Sequence, residues 1–173
     1  MDLLDKLKLS EYFLRNAYKI SRKNPHDFNF ELKVAENLFK VGALENAHVH
    51  TMRIYRSTSV LSSLYPHHKI INYRALVILA KIEYERLRYQ EALSYLKKIK
   101  EYHTFEFFSS VNEFKARIYY RLNNFTKAQA LYKQLVRIDY TMLSWLYLPF
   151  FDCLKKIDGI EDPFIKVTSE LKV

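Results

Sequence analysis

Two pairs of histidines are the residues whose type and spacing first suggest metal chemistry. His48 and His50 lie two residues apart in a helical pattern, so their rings point to different sides. His67 and His68 follow Pro66 in a predicted loop. Neither pair is joined by a further ligand at a metal-binding spacing, so we predict surface or packing roles for these histidines.

The carboxylates and the single thiol give no catalytic set. Glu83 and Glu85 are separated by one residue on a predicted helix, which predicts divergent, solvated side chains. Cys153 lies in an apolar, aromatic-rich stretch, where a buried and inert thiol is expected. The chain has no Gly-rich phosphate loop, no GxSxG and no HExxH. We therefore predict that the protein is not an enzyme and uses no cofactor and no metal.

The composition favours helices around one core. The 173 residues include only 2 Gly and 4 Pro, and 49% are hydrophobic, so long segments run without turn-forming residues. One cysteine excludes an intrachain disulfide and favours an intracellular location. No segment has the length of apolar sequence that spans a bilayer, so we predict no membrane association.

The net charge of +9 bears on the partners. Lys and Arg are scattered at helical spacing and do not form Arg-rich runs, so we do not expect nucleic acid as a partner and rank acidic proteins first. A basic surface that is merely solvated explains the charge equally well.

The positions that organise the chain are small residues that recur in three copies of one pattern. Residues 73–99 and 109–135 both read as helix, turn, helix, and an offset of 36 residues aligns them. A third copy precedes them at an offset of 45 residues. Two antiparallel helices approach closely only where small side chains face each other, and the aligned alanines predict those contacts: Ala35 with Ala47, Ala80 with Ala92, and Ala116 with Ala128. Gly42 and Asn123 fall where the first helix of a copy must turn.

This pattern resembles the tetratricopeptide repeat. The best-matching copy is residues 109–141, on Ala116, Tyr119, Ala128 and Tyr132, while Glu83 replaces an aromatic residue and Tyr140 replaces a proline. The resemblance implies an all-α fold, a right-handed superhelix of antiparallel helix pairs that binds other proteins. The predicted single domain covers residues 1–173: a truncated first repeat (1–25), repeats at 28–65, 71–104 and 108–140, a final helix (141–158) and a tail (164–173).

The same resemblance implies which residues face the concave groove of the superhelix. Apolar residues at these positions, suited to a groove or a dimer interface, are Leu32, Phe39, Val77, Tyr84 and Tyr120. Charged residues there are Arg74, Lys81, Arg117 and Arg121. They do not reproduce the Lys and Asn clamp by which chaperone-tail binders of the family hold a terminal carboxylate.

The last third has a narrower resemblance. Trp145, Pro149, Phe150, Cys153, Leu154, Ile157, Gly159, Asp162 and Pro163 follow the order found in tetratricopeptide subunits of the anaphase-promoting complex, the Cdc27 type first and the Cdc16 type second. In such subunits the N-terminal repeats interlock as a homodimer. The resemblance implies a homodimeric scaffold in a ubiquitin ligase of the cell cycle, in nucleus and cytoplasm, that contacts other subunits of the complex. A cytosolic adaptor for acidic peptides and a basic helical RNA binder are the alternatives.

Overall fold

The computed structural model describes residues 27–138 and 143–158, together with Tyr12 and Asn16. The truncated first repeat, the tail and the residues Gly159, Asp162 and Pro163 lie outside these residues. The chain divides into two compact units, residues 1–100 and 101–173.

The first unit contains four described helices. They are α1 (Phe28–Lys40), α2 (Leu44–Leu61), α3 (Pro66–Glu85) and α4 (Tyr89–Lys97). The Asp27 side chain accepts a hydrogen bond from the Phe30 N–H and caps α1. Pro66 starts α3 because its fixed φ suits the first helical turn. His67 and His68 therefore belong to α3, and their predicted position in a loop is wrong.

The core of the first unit lies between α1, α2 and α3, each of which packs on the other two. Apolar residues at helical spacing form it: Phe28, Leu32, Val34, Leu38, Ala47, Ile54, Ile71, Ala75, Ile78 and Ile82. Helix α4 packs on α3. The unequal repeat spacing has a simple cause, since α2 has 18 residues and α4 has 9.

The second unit contains three described helices. They are α5 (Phe105–Arg121), α6 (Phe125–Ile138) and α7 (Leu143–Asp158). Thr104 caps α5 by accepting a hydrogen bond from the Phe107 N–H. Helix α6 packs on both α5 and α7, and Ala116, Ala128, Tyr132, Leu135, Phe150, Cys153 and Leu154 form the core. Pro149 lies within α7 and does not end it.

The three helix pairs close through the same turn. Gly42, Leu87 and Asn123 each have a positive φ, at 82°, 62° and 57°. In each turn the N–H of this residue and the N–H of the next bond back to the last turn of the helix, as in Gly42 to Phe39 (3.0 Å) and Ala43 to Leu38 (2.9 Å). This is the Schellman arrangement, which satisfies two carbonyls at a helix end.

Candidate functional site

The six alanines of the repeat pattern are all completely buried. They fall one to a helix in three antiparallel pairs: α1 with α2, α3 with α4, and α5 with α6. A larger side chain has no room at a fully buried position in a close helix pair. The alanines therefore determine the distance between the two helices of each pair. In this way they also position the exposed sides of α1, α3 and α5, the first helices of the pairs.

The exposed face shared by α1 and α3, here called the α1–α3 face, holds most of the predicted groove residues of the first unit. Phe39 is half-buried against the core, and Val77 and Tyr84 are half-buried on α3. Leu32 is different, because it is 0% exposed within the core. Its assignment to a groove surface is wrong, since it lies on the stripe that α1 turns toward α2 and α3 and not on the outer side of the helix.

Ion pairing joins the two helices across this face. An Arg74 Nη2 donates to a Glu36 carboxylate oxygen at 3.0 Å, with both side chains partly exposed. Arg74 is thus engaged within the chain, whereas Lys40 and Lys81 on the same face are exposed to solvent. The face combines half-buried apolar side chains, one neutral ion pair and two exposed lysines.

The predicted groove residues of the second unit are held by their own neighbours. Arg117 pairs with Glu113 at 2.6 Å, and Arg121 is exposed. The Tyr120 hydroxyl donates to the Asp152 carboxylate and accepts from the Lys156 ammonium, both on α7. Lys156 also lies 4.3 Å from the centre of the Tyr120 ring.

The hydrogen bond to Tyr120 and the Asp152 carboxylate raise the pKa of Lys156 above its usual value. The ammonium therefore stays charged at physiological pH. Tyr120 is thereby fixed by polar contacts that its position in the repeat did not indicate.

A repeated aromatic pair stands where each of the last two helix pairs turns. The rings of Tyr84 and Tyr89 meet edge to face at 5.3 Å, and those of Tyr120 and Phe125 at 5.4 Å. Such edge contacts stabilise a packed pair. Tyr84 and Tyr120 therefore pack within the hairpins and present only part of each ring outward.

Glu83 forms a polar centre that sequence analysis missed. It is only 4% exposed, so its predicted solvated position is wrong. Arg86 Nη1 donates to its carboxylate at 3.0 Å, Arg88 Nε lies 2.5 Å away and His48 Nε2 3.7 Å away. The replacement of an aromatic residue by Glu83 was the one available signal, since a buried carboxylate requires partners of opposite charge.

The remaining side chains that could react or bind a metal, namely the cysteine and the histidines, are buried or dispersed. Burial raises the pKa of the Cys153 thiol to about 11, so it carries no thiolate at neutral pH. Burial and then Arg53 lower the pKa of His50, and the rings of His67 and His68 are 4.0 Å apart. Among the described residues, no three His, Cys, Asp or Glu side chains are grouped so that they could hold a metal ion. None of the helices within the described ranges is long and apolar enough to cross a membrane.

The fold is that of tetratricopeptide-repeat proteins, an all-α arrangement of antiparallel helix pairs, and the predicted all-α class is confirmed. Two crystal structures of MamA are similar to the chain, with TM-scores of 0.66 and 0.64 and identities of 15% and 14%. They cover 98% and 100% of this chain, which in turn covers 92% and 93% of them. A thermophilic TPR protein of Thermus thermophilus, TTC0263, has a TM-score of 0.49 at 18% identity. No protein-family model matches the chain, and no curated protein matches it.

Proposed function

We propose that this chain is a non-catalytic scaffold that binds other proteins through the α1–α3 face. The observation that carries the proposal is the composition of that face: half-buried Phe39 and Val77 beside the Arg74–Glu36 ion pair, with exposed Lys81 at its side. Apolar contact area supplies affinity, and fixed charges around it supply orientation and specificity. The closely packed helix pairs of the first unit provide a rigid support for such a surface.

Replacing Val77 with Arg tests this surface. A charged side chain at the centre of an interface must be desolvated on binding, so we expect about tenfold or greater loss of bound partner. The measurement is affinity capture with the tagged chain followed by quantitative mass spectrometry. The matched control is Ile157→Arg, an exposed isoleucine on α7 of the second unit. Equal losses in both variants, or none in Val77→Arg, would contradict the proposal.

A narrower form of the proposal makes the partner a second copy of the chain. Phe39 and Val77 supply apolar side chains on the α1–α3 face, as a homodimer of interlocked repeats requires. We expect light scattering after gel filtration to give a mass of twice 20.8 kDa across a wide range of concentration, and Val77→Arg to give the monomer mass. A monomer at every concentration would exclude the homodimer and favour an adaptor for acidic peptides, for which Lys40 and Lys81 are exposed on the same face.

Membership of the anaphase-promoting complex, in nucleus and cytoplasm, is the most specific form of the proposal, and residue order in the last third is its support. Phe150, Cys153 and Leu154 of that series are buried in the core of the second unit, so packing alone accounts for their apolar character. Co-purification of a ubiquitin ligase with the tagged chain is the test. If the original chain captures partners that Val77→Arg loses, but none of them is a ubiquitin-ligase subunit, the scaffold function would be supported and membership of this complex would be contradicted.

A further inference from the structure

The outer side of α2 carries a stripe of exposed residues, here called the α2 seam: Val49, Arg53, Arg56, Val60 and Leu64. The first four recur every three or four residues within α2, which places them along one side of the helix, and Leu64 comes four residues later. Val49, Val60 and Leu64 are 65%, 72% and 70% exposed. Leu64 follows the end of the helix in a turn whose N–H bonds to the Leu61 carbonyl at 3.0 Å.

The opposite side of α2 already has its packing partners. Ala47, Thr51, Ile54 and Thr58 are completely buried, and α2 packs there on α1 and α3. A surface helix normally has one apolar stripe, which faces the core, and polar residues outside. Helix α2 departs from this rule because Val49 and Val60, two exposed positions on its outer side, are branched aliphatic residues, and exposed Leu64 follows in the turn after the helix.

The centre of the seam is cationic. The sequence has no Asp or Glu from Asn46 to Ile82. Arg53 pairs with the buried Glu31, and its side chain remains 53% exposed. Arg56 is exposed, and within the described residues no ion pair joins it to a carboxylate. The seam therefore has two cationic residues in the middle, with one apolar residue before them and two after them.

This order fits a helix of a partner protein. Side chains spaced by three and four residues are those by which one helix packs along another. A second copy of α2, packed antiparallel about the middle of the seam, would set Arg53 against Arg56 and be repelled. A nucleic acid would find no aromatic ring in the seam on which to stack a base, and the valines give phosphates nothing to bind. A helix with carboxylates at its centre and apolar residues on both sides complements both the spacing and the charge.

We propose that the α2 seam is a docking site for an amphipathic, acidic helix of a partner protein. This site is separate from the α1–α3 face, so the chain joins two different partners. The two proposals can be tested separately, because Val77→Arg leaves the residues of the seam unchanged and a change at Arg56 leaves the α1–α3 face unchanged.

The test uses the whole chain and a labelled synthetic helical peptide with Leu, Glu, Glu and Leu at the spacing of the seam. We expect saturable binding by fluorescence anisotropy at physiological salt. Arg56→Glu should weaken binding about tenfold or more, since like charges then face each other. The same peptide with its two Glu changed to Lys should bind the Arg56→Glu variant better than the original chain. Lys97→Glu, a lysine-to-glutamate change at an exposed position on α4, is the control and should alter binding less than about twofold.

Several results would overturn the proposal. Absence of saturable binding, equal binding of a scrambled peptide, or an equal loss with Lys97→Glu would each contradict a specific site at the seam. Tighter binding of a single-stranded oligonucleotide, or of vesicles rich in phosphatidylserine, would assign the Arg56 charge to another class of ligand. Circular dichroism of Arg56→Glu, an exposed position, verifies that the variant is folded.

Discussion

At the scale of single residues, Leu87 has the most unusual backbone conformation among the residues that the structure describes. It has a φ of 62°, a left-handed conformation in which its Cβ crowds the following carbonyl. The equivalent turn positions hold Gly42 and Asn123, residue types that adopt this conformation readily. Leu87 is also 71% exposed, so its side chain gains little from packing.

We predict that Leu87→Gly stabilises the protein by about 1 kcal/mol, because glycine has no Cβ to strain at a positive φ. Urea denaturation followed by circular dichroism measures the change. Leu87→Ala keeps the Cβ and should give no such gain. Gly42→Ala, which introduces a Cβ at φ 82° with no atom within 4 Å of it, should lose about 1 kcal/mol for the same reason. A stabilising Gly42→Ala would contradict this account.

Cys153 gives a second prediction at this scale. Its folded pKa of about 11 exceeds the ordinary value of 9.0, mainly because of burial. The contribution of the thiol to stability is therefore complete below about pH 9 and is lost as the pH rises through 11. We expect no reaction with a thiol reagent at pH 8 until denaturant is added. The thiol of an Ala130→Cys variant, at an exposed position on α6, should react at once. Equal rates at the two positions would show that Cys153 is accessible.

At the scale of helices, the alanine contacts decide how closely each pair packs. Ala128 is fully buried on α6, while Ala130 on the same helix is exposed. We predict that Ala128→Leu costs about 1–3 kcal/mol through overpacking, and that Ala130→Leu changes stability by less than about 0.5 kcal/mol. The midpoint of urea denaturation measures both. Equal midpoints would mean that Ala128 does not lie at a close helix contact.

The positions of the helices could be predicted because the information is local. Small residues at matched spacing, Gly42 and Asn123 at turns and Pro66 at a helix start each act on a few neighbouring residues. The conformation of Leu87 could not be predicted in this way. It is imposed by the hydrogen bond from the Arg88 backbone N–H to the Glu83 backbone carbonyl and not by the preference of leucine.

The side chains that converge from different helices could not be predicted in the same way. Periodicity gives the side of a helix on which a residue lies but not the residue that it meets. Tyr120 meets Asp152 across 32 positions, and Arg86 of the Glu83 centre meets Glu45 across 41. Leu32 shows the same limit, because a family position assigned it to a groove and packing placed it in the core.

At the scale of the whole molecule, the net charge of +9 falls almost entirely in the first unit, where 18 Lys and Arg stand against 10 Asp and Glu, while the second unit has 10 against 9. Ion pairs match part of this charge. We therefore predict that any binding of single-stranded RNA is non-specific. It should fall by orders of magnitude between low and physiological salt, because released counterions drive it. Filter binding at several salt concentrations measures the slope. Tight binding that persists at physiological salt would support the RNA-binding alternative.

The common turn at Gly42, Leu87 and Asn123 has a consequence for how such a chain can change in length. The same backbone hydrogen bonds form around a glycine, a leucine and an asparagine, so the turn keeps one backbone geometry although the side chain changes its stability. A segment that runs from one of these turns to another therefore begins and ends with the same backbone geometry. A hairpin can thus be duplicated, removed or exchanged between these positions without a new connection having to evolve.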